Sequence, residues 1–178
     1  IDGLNIQEDG IYVDATLGYG GHSSKILSKL KKGHLYSFDQ DEEAILDSTS
    51  RLTKIGDNFT IIKSNFVNMK EKLNELGVTK VDGILFDLGL SSPQIDNANR
   101  GFTFMTDAPL DMRMDTSSEL TASAVINSYS IEELSNIFYL YGEEKMSKVI
   151  AKKIVSHRTE KPIKSTKELV NIIEESVG

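Results

Sequence analysis

Short runs of β-branched and aromatic residues alternate with segments of helical spacing through the first half of the chain, and the last third is helical in pattern throughout. Ile11-Tyr12-Val13-Asp14-Ala15-Thr16 predicts a strand, broken by Gly18, Gly20 and Gly21, and Ser23 to Leu30 then sets Ile26, Leu27 and Leu30 at helical intervals. His34 to Phe38 predicts a second strand ending at Asp39, after which Asp41, Glu42 and Glu43 open a helix, as acids suit the positive end of a helix dipole. A third strand is expected over Phe59 to Lys63, a helix from Asn68 to Leu76 closing at Gly77, and a fourth strand from Val81 to Phe86 ending at Asp87. The apolar run of that fourth strand is the pattern of a central strand covered on both faces. Alternating β and α elements imply an α/β protein with a parallel, doubly wound sheet.

Beyond Asp87 the rhythm changes. Leu88 to Glu119 carries glycine and proline without clear periodicity and is too long for a mere connector, which marks it as a functional loop region. From Leu120 onward the pattern is helical, with Ser130 and Glu133, and again Ser165 and Glu168, at capping-box spacing before apolar runs. In the helix around Met146 to His157, a buried stripe of Met146, Val149, Ile150 and Ile154 is expected, with Lys145, Lys148 and Lys152 on another face. No fifth strand is visible, so the sheet would keep an open edge; further chain is expected after Gly178, and a start at Ile1 points to an N-terminus upstream.

Composition narrows this picture in three ways. The net charge of −7 over 178 residues argues against nucleic-acid binding over the whole surface, because phosphate contacts come from Lys and Arg; the local candidate is the basic segment from Lys145 to Lys167. With no cysteine there is no disulfide framework, which fits a reducing compartment and a cytoplasmic location. No apolar run approaches the length of a membrane span.

The candidate chemistry gathers where strands end. Gly18, Gly20 and Gly21 sit where the first strand turns into the first helix, so backbone could approach a bound nucleotide or nucleoside closely. Ser23 stands where the dinucleotide fingerprint has its third glycine, which weakens the case for a pyrophosphate. Asp39 closes the second strand about twenty residues later, where an acid accepts hydrogen bonds from ribose hydroxyls. Phe66, just past the third strand, is placed to stack on an adenine. Asp87, Gly89 and Gln94 follow the fourth strand at the sheet edge where such folds bind ligands. Asp107, Asp111 and Asp115 surround Arg113 without nearby histidine, so an ion-pair set is expected there and no metal. The glycine turn and ribose acid serve a nicotinamide cofactor equally well, so a nicotinamide-dependent oxidoreductase stays open, as does a non-catalytic RNA-binding fragment.

Several longer motifs go further: Gly18-Tyr19-Gly20-Gly21-His22-Ser23, Asp39-Gln40-Asp41, Val81-Asp82-Gly83-Ile84-Leu85-Phe86-Asp87-Leu88-Gly89-Leu90-Ser91-Ser92-Pro93-Gln94, Arg100-Gly101-Phe102-Thr103-Phe104, Leu110-Asp111-Met112-Arg113-Met114-Asp115 and Tyr141-Gly142-Glu143-Glu144. In these the chain resembles, over essentially its whole length, the bacterial small-subunit ribosomal RNA methyltransferase H (MraW) family. The resemblance implies a Rossmann-like class I methyltransferase fold carrying an all-helical insertion domain, S-adenosyl-L-methionine as cofactor, and methylation of the exocyclic N4 of a cytidine in 16S ribosomal RNA of the small ribosomal subunit. It assigns cofactor contacts to Gly20, Gly21, His22, Asp39, Phe66, Asp87 and Gln94. It also divides the chain into a cofactor-binding part, residues 1–115, and a helical insertion or substrate part, residues 116–178; the family's N-terminal segment and C-terminal half are not in this sequence. Asp87 is expected to orient the amine rather than deprotonate it. Ser91, Ser92, Arg100, Phe102 and Phe104, from their place in the long loop, are candidate substrate contacts, with Phe102 or Phe104 stacking a flipped cytidine. Many amino-methyltransferases place Pro-Pro and an aromatic after this acid, where Leu88-Gly89-Leu90 stands here.

Overall fold

The computed structural model describes residues 1–178. Its contacts divide the chain into two compact units, Ile1–Ser91 with Met114–Thr116, and Ser92–Arg113 with Ser117–Gly178.

The first unit is a four-stranded sheet of β1 (Ile11–Asp14), β2 (His34–Asp39), β3 (Phe59–Lys63) and β4 (Gly83–Leu85) in the order β3-β2-β1-β4, with every pairing parallel. Tyr12 stands level with Leu35, and Leu35 with Phe59, so these three share one face of the sheet. That face packs on Ile26 and Leu27 of α1 (Gly21–Leu27), Leu30 beyond it, and Leu52 of α2 (Glu42–Leu52). Val13, Tyr36, Phe38 and Ile62 face the other way, onto Met69 and Leu73 of α3 (Met69–Glu75). Helices thus cover both faces, the Rossmann-like doubly wound arrangement expected from the alternating pattern.

Two details of the strand reading change. β1 takes neighbours on both sides and is fully buried from Tyr12 to Asp14, whereas β4 is an edge strand with a single neighbour. Its Ile84 is 38% exposed and the following Phe86 49%, so the apolar run there does not mark a strand covered on both faces in this chain. The first helix also begins earlier, at Gly21, because Gly20 in the left-handed region (φ 75°) brings the chain straight out of the turn.

The second unit opens with the short helix α4 (Ser92–Asp96) and a 3-10 turn at Ala98–Arg100, runs on irregularly, and then forms α5 (Ala122–Ser128), α6 (Ile131–Leu140), α7 (Ser147–Glu160) and α8 (Thr166–Val177). Both expected capping boxes are present: Ser130 with Glu133 starts α6, and Ser165 with Glu168 starts α8. Leu110, Ile126, Leu134, Ile150, Ala151, Ile154, Ile163 and Ile172 make one apolar core. The inward stripe of α7 is Ser147, Ile150, Ala151 and Ile154; Met146 and Val149, expected inside, are exposed, the helix being rotated by about one position.

The basic segment also divides. Lys145, Lys148 and Lys152 are exposed, but Arg158 turns inward, its two terminal nitrogens donating to the carbonyls of Ile126 and Tyr129 at 2.6 Å each. Those carbonyls lie at the end of α5, which leaves them without intrahelical partners, so the guanidinium finishes that helix rather than facing a nucleic acid. Lys153 pairs with Glu175 and Lys161 with Glu168. Asn127 imitates a strand neighbour: its amide donates to Ile163 O (2.7 Å) and accepts from Ile163 N (2.9 Å), fixing the segment before α8. Ala108 and Thr166 exchange two more bonds, Thr166 N to Ala108 O and Ala108 N to Thr166 Oγ1.

Asn127→Ala leaves both backbone groups of Ile163 without their partner, and urea unfolding should show a loss of about 1–3 kcal/mol. Lys148→Ala on the exposed face of α7 should change stability by less than about 0.5 kcal/mol.

Candidate functional site

In a parallel sheet all strands run out at the same edge, and the sequence-derived candidates of the first unit collect where β1, β2 and β4 end. The glycine turn is strapped down on two sides. Leu17 N donates to Phe38 O (2.9 Å), Ser48 Oγ of α2 donates to Gly18 O (2.7 Å), and Gly18 N donates to Asp39 Oδ2 (2.7 Å). Asp39 Oδ1 accepts from the backbone of Gln40 and of Asp41, so the carboxylate already holds three N–H groups. A carboxylate has about four lone-pair positions, which leaves the Oδ2 side able to take a further donor. Helix capping falls to Asp41, which accepts from Glu43 N at 3.1 Å.

Gly20 and Gly21 differ in what requires them. Gly20 has φ 75°, and a methyl group built on it would stand 3.1 Å from Ser48 Oγ. A methyl group on Gly21 would meet nothing within 4 Å, so the chain's own packing does not demand glycine there. His22 follows on the first turn of α1; its Nε2 lies 3.0 Å from Asp87 Oδ2, while its Nδ1 is buried with no hydrogen-bond partner.

Phe66 sits on a 3-10 turn, Phe66–Asn68, capped by Asn65, whose amide also donates to Gln40 Oε1 at 3.1 Å. Its ring meets that of Phe86 edge-on, with centroids 5.6 Å apart. Phe66, Asp39, Gln40, Ser64, Phe38, Ala15 and Thr16 line a small cavity of about 50 Å³ at the strand ends.

Beneath the turn lies a buried polar group to which the sequence reading gave no role. Asp14, at the end of β1, accepts from Ser23 Oγ (2.7 Å) and from Thr16 N (3.1 Å), and Ser23 Oγ meets Ser37 Oγ at 2.9 Å. Burial pushes the Asp14 carboxyl above its ordinary range, opposed by those hydrogen bonds. The available signal was an acid and a serine, Asp14 and Ser37, among apolar strand positions, with a second serine, Ser23, in the first turn of the helix that follows; such polar groups have no reason to be buried unless they bond one another.

The remaining candidates belong to the second unit, apart from Ser91, the last residue of the first. Gln94 is buried in α4 and Ser92 is its exposed first residue. Arg100 is buried, donates from Nη2 to Arg113 O (3.0 Å) and lies 5.9 Å over the Phe102 ring, whereas Phe104 is 67% exposed. Gly101, also missed, is demanded by packing: its φ is 73°, and a methyl group would come within 2.6 Å of Pro109 O. Of the three aspartates expected around Arg113, Asp111 pairs with it (Nη2 to Oδ2 2.7 Å, Nε to Oδ1 2.9 Å). Asp107 accepts from Lys167 N instead, at the start of α8, where a helix N-terminus offers free N–H groups.

A turn of glycines after the first strand and an acid closing the second, at one edge of a four-stranded parallel sheet with helices on both faces, define a Rossmann-like α/β protein. The chain belongs to the MraW methylase family, whose family model matches residues 1–178. Among solved structures it is similar to one assigned as an rRNA-methylase from Clostridium thermocellum, at 31% identity and TM-score 0.45, covering 49% of this chain and 47% of that one. It is similar also to an rRNA methylase from Streptococcus thermophilus, at 32% identity and TM-score 0.36, covering 39% of each chain. A fibrillarin/Nop5p complex matches at 18% identity and TM-score 0.41, over 64% of this chain and 55% of that one. The chain spans about half the length of the structures it matches.

The Asp111–Arg113 pair makes a pH prediction. Hydrogen bonds from Arg113 hold the Asp111 carboxyl below its ordinary value. Its stabilisation is therefore full above the unfolded value near ~3.9 and is lost as pH falls through the lower folded value. Arg113→Gln should flatten that acid limb in a series of urea titrations taken at decreasing pH.

Proposed function

We propose that this chain carries the cofactor site of an S-adenosyl-L-methionine-dependent methyltransferase that modifies the exocyclic N4 of a cytidine in 16S ribosomal RNA. Family membership supports methyl transfer. The observation that carries the cofactor reading is the set of unfilled positions around the glycine turn: open space over Gly21, the partnerless Nδ1 of His22 and the remaining acceptor capacity of Asp39. In kind, these fit an adenosyl group with its amino-acid tail. The cavity beside Asp39 and Phe66, at about 50 Å³, admits only the rim of such a ligand, so most of the nucleoside would lie outside it.

In this reading Asp39 accepts from a ribose hydroxyl while still anchoring Gly18, Phe66 lies against the adenine, and Gly20, Gly21 and His22 border the tail. Bound S-adenosylmethionine supplies an electrophilic methyl group. Asp87 accepts a hydrogen bond from the target amine and turns its nitrogen toward the methyl, so that catalysis is chiefly positioning with an aimed acceptor. Gln94 as a cofactor contact rests on its place in the chain after β4 and on the family resemblance.

Residues 1–115 would then supply the cofactor domain and 116–178 a helical insertion or substrate domain, with the small ribosomal subunit as partner in the cytoplasm. Ser91, Ser92 and Arg100 remain candidate substrate contacts. Of the two phenylalanines, Phe104 is the better base-stacking candidate, because it is exposed while Phe102 lies under Arg100. No helix is long and apolar enough to cross a membrane.

The decisive experiment follows labelled methyl from S-adenosylmethionine into small subunits lacking the modification, using the protein in its longest natural form. Transfer to a cytidine N4 is expected, with Asp87→Ala reducing kcat by at least about tenfold; an unlabelled subunit would refute the assignment. S-adenosylhomocysteine should bind in titration and NADH should not, the reverse pointing to an oxidoreductase. Gly21→Ala should weaken S-adenosylhomocysteine binding by about tenfold or more at unchanged melting temperature, whereas Gly20→Ala should also cost about 1–2 kcal/mol of stability, because its backbone is left-handed.

A further inference from the structure

The ladder between β1 and β4 ends before it reaches Asp87. Its last register pair is Asp14 with Leu85, followed by Ala15 N donating to Leu85 O at 2.9 Å. Two residues later the chain has turned away: Leu17 N donates to Phe38 O, at the tip of β2. The backbone of Asp87 would hang free of the sheet at this point, with Gly89 at φ 150° in the loop beyond and no proline to stiffen it. A side chain takes over instead. Asp87 N donates to Thr16 Oγ1 at 2.8 Å, so that a hydroxyl stands where the ladder has no further carbonyl to offer.

Thr16 is itself held. Its N–H donates to Asp14 Oδ1, and the other oxygen of Asp14 accepts from Ser23 Oγ, which meets Ser37 Oγ of β2. Asp14, Ser23 and Ser37 are all fully buried, so exchange with water does not loosen these bonds. The chain Ser37, Ser23, Asp14, Thr16, Asp87 therefore links the ends of three neighbouring strands. Asp87 is gripped at two points, its backbone by Thr16 and its carboxylate by His22. Both contacts are exposed, but they hold different groups: His22 meets the carboxylate that a ligand would engage, whereas Thr16 bonds the backbone amide and leaves that carboxylate free to act.

The geometry points to Thr16 as a positioning residue for methyl transfer: its hydroxyl sets the height of Asp87 above the sheet edge and, through it, the affinity for the cofactor and the orientation of the amine. This rests on the cofactor reading above. Thr16 also lines the cavity that Asp39 and Phe66 border, so one side chain couples the ribose end of the site to the carboxylate after β4.

The test compares Thr16→Val, which keeps the branched shape and removes the acceptor, with Thr16→Ser, which keeps the acceptor. Amide hydrogen exchange on the ligand-free protein is expected to quicken roughly fivefold to tenfold at Asp87 in Thr16→Val. The Val13 and Leu35 amides of the sheet interior should stay as in the wild type, which a merely destabilising change would not allow. The dissociation constant for S-adenosylhomocysteine should rise by a similar factor, kcat should fall more than KM for RNA rises, and Thr16→Ser should recover at least half of each effect. Wild-type exchange at Asp87 or wild-type affinity in Thr16→Val would overturn the Thr16 role while leaving the cofactor reading standing. A wild-type protein that binds no S-adenosylhomocysteine would overturn the cofactor reading and this inference with it.

Discussion

Parallel pairing of β1 with both its neighbours is the constraint from which the candidate site follows. Because β1 lies level with β2 on one side and β4 on the other, the carboxyl ends of the three strands come to a common edge, and each is followed by a turn instead of a hairpin. Asp14, Asp39 and Asp87 end or follow these strands, so three acids separated in sequence by whole βα units become neighbours along one rim. An antiparallel arrangement of the same segments would send them to opposite ends of the sheet.

Acids brought together this way repel unless each is given donors, and the fold gives each a different set. Asp14 is taken out of water and bonded to a hydroxyl and one backbone N–H; its raised pKa records that burial is the larger effect. Asp39 is held by three backbone N–H groups, which makes the acid proposed for ribose also the anchor of the glycine turn. Asp87 keeps most of its exposure and meets only a histidine and, by its backbone, a threonine. A graded set results, from a buried structural carboxyl at the strand end to an accessible one at the rim.

The helical unit solves a different problem with the same economy of side chains. Its long segment between residues 97 and 121 has little regular structure, yet several of its backbone groups find partners in other parts of the unit. Gly101 lets the chain pass within touching distance of residues 109–112, and Arg100 O accepts from Met112 N. Asn127 and Arg158 serve carbonyls and amides that no helix reaches. Residues that look like candidates for binding because they are polar and isolated in sequence are here consumed by the backbone, which is why Arg158 left the basic surface.

What could be read from the sequence was what depends on local chemistry. The strands, the glycine turn, the caps at Ser130 and Ser165 and the acids closing strands all follow from period, backbone freedom and the unpaired groups of helix ends, which act over a few residues. Tertiary structure alone decided that β4 lies at an edge, that α7 turns Ser147 and Ala151 inward in place of Met146 and Val149, that Asp107 serves α8 while Asp111 keeps Arg113, and that Thr16 holds Asp87. Each of these rests on a partner far away in the chain, and a hydrogen bond or a packed face has no sequence signature until the fold supplies its other half.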